Sequence, residues 1–199
     1  MANDDGIASA SPIWDALDAA TRTRTAFTLG YLGTADVDGQ PHVRAVIVRA
    51  VDAETGTVFF STHSLSAKIG QLERNPLVAV TFYDAEADVQ LRLEGRAEVV
   101  TDESTRRATW ASFGAGTRQL FASPLRPGSP LPRADARADG GSSANASGDA
   151  RDDAAGYARF AWVAVHVNDI DAIDLSADEH LRCRFTRVDG GWDTTRIVP

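Results

Sequence analysis

Between Val89 and Thr101 the chain reads VQLRLEGRAEVVT, in which Leu91, Leu93, Gly95, Ala97 and Val99 alternate with Gln90, Arg92, Glu94, Arg96 and Glu98. Successive side chains of a strand point to opposite faces, so this run is predicted to bury one face and leave the other polar. That pattern belongs to antiparallel sheets. Ala26 to Thr34, His42 to Val51 and Thr57 to Ser61 are rich in β-branched and aromatic residues and are separated by the turn-forming stretches DVDGQP and DAETGT, which predicts a meander. Leu77 to Tyr83, Arg159 to Asn168, Leu181 to Val188 and Trp192 to Val198 read as further strands, with Gly190-Gly191 as the turn between the last two. Many strands with few helices and regular turns predict a mainly β fold, a barrel.

Three helices are expected. The first has Ser11 as N-cap and Pro12 at the first helical position, with Ile13, Trp14, Leu17 and Ala20 on one face. Ser66 to Arg74 forms a short one, with Ile69 and Leu72 three apart and Asn75-Pro76 closing it. Thr101-Asp102 starts another that runs through about Phe113. From Pro124 to about Gly156 the chain turns to Gly, Ser, Ala, Pro and charged residues, too few of them apolar to offset ordering entropy, and a mobile surface excursion is expected at about 126–156. With 199 residues, 43% of them hydrophobic, one domain spanning the whole chain is the natural reading.

Charge and cysteine content narrow the function. A formal charge of −8 with a single lysine argues against a general nucleic-acid grip. Cys183 is the lone cysteine, so there is no internal disulfide, no CxxC redox motif and no paired metal-ligand spacing. The N-terminal stretch lacks a basic start and a continuous apolar core, and no apolar run is long enough to span a bilayer, so a soluble, cytoplasmic protein is expected.

The chemistry concentrates in FFSTHSLSAKIGQLERNP, Phe59 to Pro76, where a strand gives way to a helix through a patch of hydroxyls. A helix start needs one capping hydroxyl, and here Ser61, Thr62, Ser64 and Ser66 precede the only lysine, Lys68. In HVRAVIVRA, Arg44 and Arg49 bracket an apolar strand; read alone they are charged ends in solvent. Gathered with Ser61, Thr62, Ser66 and Lys68 at adjacent strand ends, they would suit a phosphate monoester at the mouth of the helix. Gln90 can donate and accept at once, which suits the imide edge of a flavin ring.

Taken in order, RAVIVRA, FFST, SAKIGQLERNP and QLRLEGRAEVV, then HLRCRF and GWDTTRIVP after the loop, resemble the FMN-binding half of the pyridoxamine 5′-phosphate oxidase family. The resemblance implies an antiparallel, Greek-key-like FMN-binding split β-barrel, with FMN as cofactor in a groove between the two subunits of a homodimer. It implies that Arg44 and Lys68 hold the FMN phosphate, with Ser61, Thr62 and Ser66 as hydroxyl or backbone partners. Ala45, Val46 and Ile47 would line the flavin ring, Gln90 would touch it, and Arg49 and Arg184 would lie beside it. Ala67 departs from the pattern, because many members carry a second basic residue there.

The substrate positions depart further. Where vitamin B6 oxidases hold their phosphorylated substrate, this chain has Arg49, then Trp110, Gly114 and Arg118, then His180 and Arg182. Gly114 has no side chain with which to hold a phosphate, and the family's flavin-contacting tryptophan is missing from DAIDLSADEH. Arg49, Arg118 and Arg182 with Trp110 would make an anionic-substrate pocket of a different shape. The flavin itself accepts hydride or electrons, so no catalytic residue is expected from the protein. The resemblance therefore implies an FMN-dependent oxidoreductase acting on a small anionic organic molecule in a branch distinct from the B6 enzyme. A module that binds flavin, deazaflavin or haem without turnover is the alternative, and strict pyridoxamine phosphate oxidase activity ranks below both.

Overall fold

A computed structural model describes residues 9–131, 150–176 and 178–199. The alternating run becomes strand β5 (Val89–Val99), and Leu91, Leu93 and Ala97 are buried while their polar neighbours face outward. Before it come β1 (Leu29–Ala35), β2 (Pro41–Asp52), β3 (Thr57–His63) and β4 (Leu77–Asp84). After it come β6 (Phe160–Asp174), β7 (Leu181–Val188) and β8 (Gly191–Ile197). All neighbours are antiparallel, in the order β3-β2-β1-β4-β5-β6-β7-β8, and an additional β3–β6 pairing closes the first six into a barrel. β1 pairs with both β2 and β4, so the chain crosses over rather than meandering throughout.

Strand β6 makes the closure possible. One edge pairs with β5 along nearly its whole length, while the other is shared, Phe160–His166 with β3 and Asp169–Asp174 with β7. The β7–β8 hairpin therefore hangs off the barrel, turning at Gly190 with φ +83° and seating Trp192 beside Trp14, ring centroids 5.8 Å apart. Phe82, Leu32, Leu93, Val163, Val165 and Phe185 fill the interior.

Helix α1 (Ser11–Arg22) buries Trp14, Leu17 and Ala20 as its periodicity demands, but the cap is Ala10 and Ser11 is already helical. The expected strand from Ala26 begins instead with a short 3₁₀ turn, Ala26–Thr28, held by a reciprocal capping box between Thr25 and Thr28. Helix α2 (Ala67–Arg74) follows Ser66, and α3 (Glu103–Ser112) is capped by Asp102, whose carboxylate accepts from the Thr105 N–H. A short α4 (Ala115–Gln119) follows.

Two further sequence expectations need correction. The strand predicted to stop at Asn168 continues to Asp174, because the carboxylate that breaks its apolar run, Asp171, is buried against arginines on both adjacent strands. The end of the stretch expected as an excursion at 126–156 is helical, since α5 (Ala150–Arg159) begins inside it. Buried Gly156 packs there on the Trp110 ring, a contact that average composition does not register. The rest of that stretch, 132–149, lies outside the described residues, as does the N-terminal segment 1–8. No described helix is long and apolar enough to cross a membrane.

Gly95 sits where the β5–β6 register shifts, and a Cβ there would lie 2.0 Å from the His166 carbonyl oxygen, a backbone atom that cannot step aside. Gly95→Ala is expected to cost about 3 kcal/mol or more in urea unfolding, because the strain falls on the strand that closes the barrel.

Candidate functional site

The hydroxyl-rich stretch leads into α2 without capping it. Ser66 has extended backbone geometry and makes no side-chain bond to the helix N-terminus. Its hydroxyl accepts instead from Lys68 Nζ at 2.9 Å, and Thr62 Oγ1 accepts from the same ammonium at 2.9 Å. The strand end and the helix mouth thus converge on one lysine. Burial, and then the positive charge of Arg44, pull the Lys68 ammonium down to about 8.

Arg44 is held nearby by a neutral cradle. Its Nη2 donates to Gln71 Oε1 at 2.9 Å and its Nη1 to Thr34 Oγ1, while the Thr34 hydroxyl donates to the same Gln71 oxygen at 2.7 Å. Both cradle residues are buried, and burial lowers the Arg44 pKa. The cradle orients the guanidinium without neutralising it. Arg44 is not among the residues that line the adjacent cleft, so it acts on that space through Lys68 and the local field.

The cleft, of about 220 Å³, is lined by Ala45, Val46, Ile47, Arg49, Ser61, Thr62, His63, Lys68, Leu120 and Phe121. Arg49 enters it because the β2–β3 register shifts between Val48 and Ala50, leaving Arg49 as the extra residue of a bulge. Bulges commonly re-aim one side chain in this way. Its guanidinium lies 6.0 Å from the Phe113 ring centroid, its buried Nε has no acceptor among the described residues, and burial lowers its pKa. Among the described residues, none of Arg44, Arg49 and Lys68 has a carboxylate within salt-bridge distance. Desolvated like charges with hydroxyl partners and no counterion give the cleft a local excess of positive charge.

His63 and the wall beyond it were not foreseen as site residues. His63 Nδ1 accepts from the Leu65 N–H at 3.1 Å, which leaves Nε2–H to donate to the Ser123 carbonyl at 3.3 Å. It thereby ties the segment carrying Phe121 to the start of the helix that carries Lys68. Gln71 and Thr34 were also missed. A glutamine on the apolar side of α2, between Ile69 and Leu72, is the one signal that could have exposed the cradle.

The other expected site residues lie elsewhere. Gln90 is on the outer face of β5, three strands from β2 whichever way one counts round the six-strand ring. Arg184 is exposed on the hanging hairpin, paired in register with Asp171. Arg182 is engaged by the Asp171 carboxylate, with Nε at 3.0 Å and Nη2 at 2.8 Å. Arg118 closes the end of α3, donating to the Trp110 and Ala111 carbonyls and to Asp153. Trp110 is buried in a cluster with Phe121, Phe160 and Trp162, its indole N–H directed at Asp153. Within one chain, the pocket expected from Arg49, Trp110, Arg118 and Arg182 is therefore not assembled: packing claims Trp110 and Arg118, and Arg182 faces another side.

This is an antiparallel split barrel with a cationic cleft where β2 and β3 meet α2. A family model described as pyridoxamine 5′-phosphate oxidase matches residues 13–137, more than half of the sequence, and the chain belongs to that family. Curated relatives include pyridoxine/pyridoxamine 5′-phosphate oxidases of Pseudomonas putida, 40% identical over 74 residues (37% of this chain, 34% of the relative), and of Burkholderia thailandensis, 41% over 87 residues (44% and 39%). The matched stretch thus spans little more than a third of those enzymes. Among solved structures, a pyridoxamine 5′-phosphate oxidase-related, FMN binding protein from Nostoc punctiforme is similar with TM-score 0.74 and 18% identity over 96% of this chain and 97% of its own. PhzG from Burkholderia lata, solved in complex with tetrahydrophenazine-1-carboxylic acid, is similar with TM-score 0.71 and 23% identity over 98% and 95%. Both show the fold.

The depressed Lys68 gives the site a pH signature. Between pH about 8 and the usual 10.5 the unfolded chain holds a proton on Lys68 that the folded, ligand-free protein has lost, so stability rises with pH across that window. Thermal unfolding of ligand-free protein at pH 7.5 to 10.5 (roughly the span set by the two pKa values) is expected to show this rise, and Lys68→Met to remove it. A variant with an unchanged profile would mean that Lys68 is not desolvated.

Proposed function

We propose that the protein binds FMN as a two-fold homodimer and carries out a two-electron redox reaction on a small anionic organic molecule. The observation that carries this reading is the uncompensated charge of Lys68 and Arg44 at the mouth of α2. A phosphate monoester supplies the missing counterion, accepting from Lys68 with Ser61, Thr62 and Ser66 beside it, while Arg44 adds field from its cradle. Ala45, Val46 and Ile47 offer the flavin ring an apolar wall, and bulged Arg49 provides a second cation on the same cleft.

Dimerisation is supported by what one chain leaves undone. Tyr31, Val43 and Leu77 stand 54%, 70% and 57% exposed on the outer face of β1, β2 and β4, an apolar face that a second copy would cover. Gln90 and Arg184 point away from their own cleft, and a two-fold partner is the way they would reach a flavin. The bound flavin supplies the hydride acceptor. The chain's own tasks are to anchor the phosphate, exclude water through Phe121 and the apolar wall, and orient the substrate's negative charge with Arg49.

True pyridoxamine phosphate oxidase activity fits less well, since Gly114 offers no side chain and Trp110 and Arg118 are committed to packing. A flavin carrier without turnover keeps the same anchor and differs only in lacking a reducible partner.

Purified protein is expected to be yellow, to release FMN by mass spectrometry, and to lose roughly ten- to a hundredfold in FMN affinity on Lys68→Ala. Unchanged affinity would sink the phosphate assignment. A Soret band instead of a flavin spectrum would favour haem, a deazaflavin mass would favour that cofactor, and a bound flavin that no small-molecule donor reduces would favour the carrier.

A further inference from the structure

The outer face of β5, β6 and β7 carries a charge cluster that the FMN anchor does not use. Asp171 is buried, with 4% of its surface exposed, although it lies on the face that points away from the barrel interior. Two arginines cover it. Arg182 lies side-on, with Nε and Nη2 each donating to a different carboxylate oxygen, and Arg92 Nη2 donates to Oδ2 from the opposite strand. Burial pushes the Asp171 carboxyl up, but the bonds from Arg182 and Arg92 outweigh it and hold it below the usual carboxylate range.

A structural ion pair needs one arginine. Here two guanidinium groups share one carboxylate, leaving a net positive charge, and Arg92 Nε is buried with no acceptor among the described residues. Both arginines remain partly exposed, at 35% and 25% of their side chains. Arg92 is two residues from Gln90 on the same face of β5, and Arg184 pairs in register with Asp171. Several anion donors thus cluster on one patch, with one carboxylate fixing two of them. The other carboxylates of this face lie further along: Asp169 accepts from the Thr186 hydroxyl at 2.9 Å, and Glu94 pairs in register with Asp169.

We infer that Asp171 is a positioning residue that holds Arg92 and Arg182 as a paired guanidinium subsite for the carboxylate or phosphate group of the substrate. The inference rests on the proposed dimer, in which this patch of one subunit faces the cleft of the other. Fixing both side chains in advance avoids part of the cost of ordering two long cations at binding.

The test titrates benzoate, phenyl phosphate and uncharged benzyl alcohol into the FMN-loaded dimer, following the flavin absorbance, and compares the wild type with Arg92→Gln, Arg182→Gln and Asp171→Asn. Both anions are expected to bind and the alcohol not; a preference for one anion identifies the charged group. Each arginine variant is expected to weaken anion binding roughly tenfold or more while leaving FMN affinity unchanged. Asp171→Asn separates positioning from net charge. Removing a negative charge should tighten anion binding if Asp171 contributes only its field, and should weaken it if Asp171 holds the arginines in place. Unchanged or tighter binding in Asp171→Asn, or unchanged binding in both arginine variants, overturns the inference. If Asp171→Asn fails to fold, the arginine variants decide alone. Variants that dissociate the dimer by sedimentation, yet bind the anions as the wild type does, would mark the cluster as a subunit contact and overturn the subsite. A protein that takes up no FMN refutes the proposed function instead, and calorimetric titration of the same anions then tests the subsite separately.

Discussion

Barrel closure depends on one strand serving three neighbours. β6 spends one edge on β5 and divides the other between β3 and β7, so the ring closes at one end and opens into a hairpin at the other. Its near half must be apolar on both faces: Phe160, Ala161, Trp162, Val163, Ala164 and Val165 are all buried, the even and odd positions meeting different clusters. Its far half faces solvent on one side and tolerates Asp169 and Asp171. The doubly buried half reads as an apolar run without alternation and is legible as a strand, whereas the half interrupted by Asp169 and Asp171 shows itself only in its pairing with β5 and β7.

Closure also sets where charge can accumulate. β3 ends at His63 because its partner on β6 begins at Phe160, and the chain must then leave the sheet within a few residues to start α2. That short exit brings Thr62, Ser66 and Lys68 together. The cost is a desolvated ammonium beside a guanidinium, which no side chain among the described residues offsets with opposite charge. Such an arrangement destabilises the ligand-free protein, and the proposed phosphate would offset that cost. The neutral Thr34–Gln71 cradle sharpens this point, because a carboxylate in place of Gln71 would neutralise Arg44, whereas the glutamine leaves its charge in place for the proposed phosphate.

Much of this was legible in the sequence. The alternation of β5, the turn residues, the Asp102 cap and the convergence of Ser61, Thr62, Ser66 and Lys68 all follow from local rules, and the structure has them together. What escaped was long-range. Gln71 and Thr34 are far apart in sequence and meet only when α2 packs against β1. Helix α5 is held by long-range contacts, Gly156 and Tyr157 against the Trp110 ring and Asp153 with Trp110 and Arg118, while its composition reads like the stretch before it. The family resemblance implies a substrate role for Trp110 and Arg118, whereas within one chain they are hydrogen-bonded to Asp153 and to the end of α3.

The residues that resist assembly are themselves informative. Lys68 and Arg49 open on the β2–β3 side, while Gln90, Arg92, Asp171, Arg182 and Arg184 share the outer face of β5, β6 and β7. In a ring of six strands β5 stands opposite β2, so no side-chain rotation and no small shift of a loop brings the two sets into contact. If both sets contact one ligand, as the proposed function holds, a second copy of the barrel would have to bring the other half of the site. Two-fold symmetry then completes two sites at once, because each copy offers the half that its partner lacks. The proposed dimer thus follows from where the sheet places its polar side chains as much as from the apolar face they border.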